Sequence, residues 1–209
     1  LSYVYDWSGK PNKTRRIRIP MFNQVFTGVW VDPKYSVWAP SNPNRYRLYI
    51  EGDSITQMGQ PGNGQYRPCH RLANILGCDD VWDSSIGGTG FISNGGGPKL
   101  IDRISRVLDA APDILYVRPI NNDVGNDGTY NTTTRKAAYK LYFDTLLAAL
   151  PNLIIICGGG SAAGAANLTT TTASAWQVEA DMASAISEYN HPHVKFLATI
   201  SDTTQRWLL

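Results

Sequence analysis

The chain has 209 residues, 43% of them hydrophobic and 17% charged, with a formal net charge of +2 at pH 7. That length holds one sizeable α/β domain with a smaller appendage, and the composition excludes a disordered or fibrous chain. A charge so near zero supplies no field to draw nucleic acid or an acidic membrane, and no run approaches the roughly 18 apolar residues of a membrane span.

The opening Leu1-Ser2-Tyr3-Val4-Tyr5 lacks a basic-then-apolar leader and an initial Met, so the chain reads as a processed product or part of something longer. Residues 1–44 show no helical periodicity. Arg16-Ile17-Arg18-Ile19 and Val25-Phe26-Thr27-Gly28-Val29-Trp30-Val31, alternating or β-branched, predict short strands there. The Pro- and Asn-rich Ala39-Pro40-Ser41-Asn42-Pro43-Asn44 sets a boundary, and 1–44 reads as the end of an accessory β domain.

From Arg45 onward apolar runs alternate with helical segments. The runs Leu48 to Ile50, Val81 to Trp82, Ile114 to Val117, Leu153 to Cys157 and Val194 to Ala198 predict five strands. Tyr66 to Leu76, Lys99 to Ala110, Thr133 to Leu150 and Ala173 to Tyr189 predict helices between them, the third showing an apolar face at Ala137, Leu141, Leu146, Leu147 and Leu150 before Pro151 stops it. Such alternation predicts a three-layer α/β/α domain over 45–209 with a central parallel five-stranded sheet. Cys69 and Cys78 flank the first of these helices, about 13 Å apart and beyond disulfide reach, and Cys157 is expected as a buried strand thiol. Sequons at Asn12, Asn131 and Asn167 are common by chance and leave the compartment open.

In a parallel sheet, ligands sit at the carboxyl ends of the strands, so the loops that follow them carry the chemistry. After the first strand comes Gly52-Asp53-Ser54-Ile55-Thr56, where a tight turn exposes a serine hydroxyl; a glycine turn with a capping serine is the plainer alternative. After the second comes Asp83-Ser84-Ser85-Ile86-Gly87-Gly88-Thr89-Gly90-Phe91, whose glycine N–H groups are able to donate to an oxyanion. A dinucleotide fingerprint fits poorly, since it needs glycine at Ser93 and a place after the first strand. After the third comes Arg118-Pro119-Ile120-Asn121-Asn122-Asp123, in which Asn122 offers an amide donor or an Asx turn.

These three blocks together resemble the SGNH (GDSL) hydrolase family of serine esterases. The resemblance covers roughly residues 45–209 and implies a flavodoxin-like fold, Ser54 as nucleophile, Gly88 and Asn122 as oxyanion donors, a carboxylic ester substrate and no metal or organic cofactor. Asp53 is expected to brace the turn. Two features depart from the family pattern. Ile120 stands where its third block has glycine, and its C-terminal Asp-x-x-His block is absent from the chain.

A serine nucleophile needs a general base, and the chain offers His70, His191 and His193. The last two precede the fifth strand and are expected at the rim opposite Ser54; His191-Pro192-His193 makes a poor metal pair without further ligands. His70 follows the Ser54 loop on a helix, where a surface histidine is the common case. The expectation is that a C-terminal continuation or a second chain supplies the base and its carboxylate. The substrate is expected to be an acylated small molecule or O-acetylated polysaccharide, the latter favoured by Trp30, Tyr35, Trp38 and Tyr46 as sugar-stacking rings. The alternative is a non-catalytic carbohydrate-binding or fibre module on the same fold.

Overall fold

The computed structural model describes residues 30–34, 36, 46–57, 68–78, 80–118, 121–123, 131–159 and 173–198, with the backbone alone at 68–70, 121 and 173–176. The chain separates into two compact units, Leu1–Pro43 and Asn44–Leu209. In the first unit the described residues are irregular, and Trp30 and Val31, at the end of an expected strand, are not in one. The rest of both expected N-terminal strands lies outside the described residues.

The second unit runs β1 (Arg47–Glu51), α1 (Ser54–Gln57), α2 (Pro68–Leu76), β2 (Asp80–Asp83), α3 (Ile104–Ala110), β3 (Ile114–Val117), α4 (Thr132–Ala149), β4 (Ile154–Gly158), α5 (Ala173–Tyr189) and β5 (Val194–Leu197). The five strands form one parallel sheet in the order β2-β1-β3-β4-β5. β1 shows why it is central. Leu48 and Ile50 pack on one face with Ala73 and Cys78, while Tyr49 joins Leu115, Val117, Tyr142 and Phe143 on the other. A strand apolar on both faces needs cover on both, which α2 gives on one side and α3 and α4 on the other. Cys157 is fully buried in β4, as its apolar run implies, and Cys78 is a free buried thiol.

Two helices differ from their sequence pattern. The expected helix over 99–110 opens as a 3₁₀ turn at Ile101–Arg103 before α3. In α4 the buried face is Arg135, Ala138, Tyr139, Tyr142, Phe143, Leu146 and Leu147, whereas Ala137 and Leu141 face solvent. Tyrosines form the inner stripe because their rings pack edge-on against Phe91, at centroid distances of 4.7 and 5.2 Å. The Asn131 sequon overlaps the start of α4, where its Oδ1 accepts the Thr134 N–H at 3.0 Å and Thr134 Oγ1 accepts the Asn131 N–H at 3.1 Å. No described helix is long and apolar enough to cross a membrane.

The sheet order reverses between β1 and β3. In open α/β sheets the crevice outside the carboxyl ends of the strands at such a reversal is where ligands bind. The loops after β1 and β3, with the adjoining loop after β2, therefore frame the site.

Candidate active site

Ser54 opens α1 directly after the β1 turn. Asp53 caps that short helix: its Oδ1 accepts the Ile55 N–H at 2.7 Å, and its backbone oxygen accepts the Gln57 N–H at 2.8 Å. As the first residue of α1, Ser54 has no intrahelical acceptor for its own N–H. The side chain is partly exposed. Burial pushes the Asp53 carboxyl up, opposed by the amides of Ile55 and Thr56, the Arg118 guanidinium and the Asn122 amide.

The loop after β2 stays on the β1 backbone for two more bonds, Ser84 N–H to Ile50 O at 2.9 Å and Ile86 N–H to Gly52 O at 3.0 Å. This brings Gly87 against Ser54, so close that a Cβ placed on Gly87 would lie 3.5 Å from Ser54 Cβ. Gly88 has φ +74°, a conformation that favours glycine. The Gly87 carbonyl packs against Gly96, where a Cβ would collide with its oxygen. All described peptides are trans, and a trans peptide points its C=O and N–H in opposite directions, so the Gly88 N–H is directed away from the 95–97 turn.

The loop after β3 ends in a 3₁₀ turn at Asn121–Asp123. Asn122 Nδ2 donates to Asp53 Oδ2 and to the Thr89 carbonyl, each at 3.0 Å, so one amide ties all three loops together. Asp123 is fully buried, and its carboxylate accepts the N–H groups of Phe91 at 2.8 Å, Ile92 at 3.1 Å and Ser93 at 3.0 Å. Gly90 is required beside it, because a Cβ there would strike the Asp123 carboxylate. Burial pushes that carboxyl up, against the three amides and Arg135. Arg135 in turn donates to the Asp123 carbonyl at 3.3 Å and pairs with Asp181 of α5 at 2.5 Å.

Beneath the Ser54 turn lies a second buried group. Glu51, at the end of β1, accepts from Tyr142 Oη and faces Arg103 Nε at 3.8 Å. Arg103 reaches the loop after β2, donating from Nη1 to Ser84 O at 3.0 Å. Burial pushes the Glu51 carboxyl up to about 7, with Tyr142, Arg103 and Arg106 acting in the opposite sense.

Ser54, Gly88 and Asn122 therefore sit in or beside one network of contacts, all partly exposed. Ile120 and the side chain of His70 lie outside the described residues. His191 and His193 are at the far end of the sheet, where His193 O accepts the Ile155 N–H at 2.8 Å and His191 Nδ1 accepts the His193 N–H at 3.2 Å. Among the described residues no group of three or more His, Cys, Asp or Glu side chains is placed to hold a metal. Gln57, Asp123, Glu51 and Arg103 escaped the sequence reading as parts of the site. A signal existed for Glu51, a carboxylate at the end of a strand apolar on both faces, which demands a buried partner.

No family model and no curated protein matches the sequence. Solved structures do. A family two carbohydrate esterase from Cellvibrio japonicus is 17% identical with TM-score 0.58, covering 78% of this chain and 54% of its own. The chain has the fold of carbohydrate esterases. A family two carbohydrate esterase from Clostridium thermocellum in complex with cellohexaose superposes with TM-score 0.57 at 18% identity, over 78% of this chain and 56% of its own. A carbohydrate esterase structure described as displaying divergent catalytic and non-catalytic binding functions has TM-score 0.54 at 12% identity, over 75% of this chain and 60% of its own. The chain thus spans little more than half the length of the first two, and at these identities the likeness is one of fold.

Proposed function

We infer that the chain is a serine hydrolase of carboxylic esters, acting on O-acetylated carbohydrate. The observation that carries this reading is the Asn122 amide bridging Asp53 and Thr89, which sets Ser54 beside the Gly87-Gly88 turn. Ser54 Oγ attacks the ester carbonyl, its proton passes to a base, and the carbonyl oxygen takes the negative charge. That charge is received by the N–H groups of Ser54 and Gly88 and by Asn122, which turns one amide hydrogen from Thr89 O to the substrate. Collapse expels the sugar hydroxyl, leaving an acetyl group on Ser54, and water then releases acetate by the same steps. We assign the base and its orienting carboxylate to groups outside the described residues. The carbohydrate substrate is supported by the fold shared with carbohydrate esterases; Tyr46, which precedes β1, lies at the end of the sheet opposite Ser54. Tyr35 and Trp38 lie outside the described residues.

The second reading, a carbohydrate-binding module without catalysis, is favoured by the absence of a histidine side chain beside Ser54 among the described residues, since His191 and His193 lie at the far end of the sheet. Fluorophosphonate labelling separates the two, because only an activated serine reacts. Covalent labelling of the chain that disappears in Ser54→Ala, together with acetate release from acetylated polysaccharide, is the expected result. No labelling refutes the hydrolase, and a preference for p-nitrophenyl esters of long acyl chains refutes the acetyl substrate.

A further inference from the structure

Gly87 and Gly88 carry no side chains, so little of their own resists a rotation of the peptide between them. Such a rotation would exchange the Gly88 N–H for the Gly87 carbonyl. A donor to the oxyanion would become an acceptor that repels it. The packing of the Gly87 carbonyl on Gly96 opposes this from one side.

The peptide before it is held as well: the Gly87 N–H, part of the Ile86-Gly87 peptide, donates to Gln57 Oε1 at 3.0 Å. Gln57 is the last residue of α1, three positions after Ser54, and side chains at that spacing share a helix face. Its backbone is fixed by the bond to Asp53 O. A Cβ on Gly87 would lie 3.3 Å from Gln57 Oε1 and 3.5 Å from Ser54 Cβ, so the glutamine amide, the nucleophile and the glycine are neighbours.

We propose that Gln57 is a positioning residue for the oxyanion hole: by accepting the Gly87 N–H it fixes the Ile86-Gly87 peptide, from which the Gly87-Gly88 peptide continues, and so leaves Gly88 as the donor. The contact also removes the Gly87 N–H from competition for the substrate oxygen, which fixes where the developing charge is received. The proposal rests on the hydrolase reading. It assigns no contact between Gln57 and the reacting atoms.

The test uses the full chain with Gln57→Met, which keeps the length of the side chain but has no oxygen acceptor, and Gln57→Ala as the second variant. Because Gln57 is partly exposed, both are expected to keep the wild-type Tm. With p-nitrophenyl acetate, kcat and the rate of fluorophosphonate labelling fall about tenfold while KM is unchanged, the signature of an interaction felt in the transition state. Unchanged kcat, or a loss expressed in KM alone, overturns the proposal. Amide hydrogen exchange over residues 84–97 reads the same contact without catalysis. Faster exchange at Gly87 in both variants supports the clamp, and equal exchange overturns it, whereas a wild-type protein inert to the probe refutes only the hydrolase reading.

Discussion

Asp123→Asn isolates the bond that holds the loop after β2 to the loop after β3. The wild-type carboxylate is fully buried and accepts three backbone N–H groups, two on Oδ1 from Ile92 and Ser93 and one on Oδ2 from Phe91. Alanine would strand all three, at about 1–3 kcal/mol each, a large share of a typical domain's stability of ~5–15 kcal/mol, and would confuse loss of fold with loss of function. Asparagine is nearly isosteric. Its best orientation keeps the oxygen at the Oδ1 position and turns NH₂ toward the Phe91 N–H, so one acceptor is lost. The expected cost is about 1–3 kcal/mol, a fall in Tm of roughly 2–12 °C for a domain of this size. Thermal unfolding with urea titration at pH 7 measures it, the m-value confirming that the same structure unfolds. Labelling of Ser54 should slow as well, since the loop that carries Gly88 is then held by fewer bonds. A variant with wild-type Tm and labelling rate would refute the role of the carboxylate as a clamp.

Two further outcomes follow from the same network. Asn122→Ala removes a proposed oxyanion donor and the tie between Asp53 and Thr89, so kcat should fall about 100- to 1,000-fold in a protein that still folds, and kcat within a few-fold of wild type would exclude the role. Glu51 has its carboxyl raised from 4.5 to about 7, so the folded state binds the proton that the unfolded state has released. Its contribution is fully present below pH 4.5 and lost as pH rises toward 7. Glu51→Gln should therefore gain on the wild type by up to about 3 kcal/mol across that interval, read as the difference between urea unfolding curves of the two proteins. A difference independent of pH would show that Glu51 ionises normally.

The sheet was legible because its strands are short runs dense in Ile, Leu and Val, and such runs need the two-sided cover that alternating helices supply. The loops that frame the crevice were legible, because those carrying Ser54, Gly88 and Asn122 each follow a predicted strand and have a distinctive composition. The side chains that hold these loops were not. Gln57 meets Gly87 thirty positions away and Asp123 meets Phe91 thirty-two positions away, contacts that depend on loop conformations no local periodicity encodes. The face of α4 was misjudged for a related reason. Counting only aliphatic residues points to Ala137 and Leu141, while the packed stripe is built from Tyr139, Tyr142 and Phe143 and ends in the buried Arg135.

The catalytic and binding readings make different demands on such a site. A sugar-binding surface gains from side-chain amides and aromatic planes turned outward to meet hydroxyl groups. Here Gln57 Oε1 is turned to a backbone N–H and Asn122 Nδ2 to a carboxylate and a carbonyl. What they hold is a pair of glycines with no side chain between the backbone and the nucleophile. Backbone donors fixed in advance, so that they need not rearrange as charge develops, favour a transition state over a resting ligand. Side chains acting as struts, leaving backbone N–H groups for the substrate, is the arrangement the proposed hydrolase calls for. It is also why the reactivity of Ser54, rather than affinity for a sugar, is the property to measure.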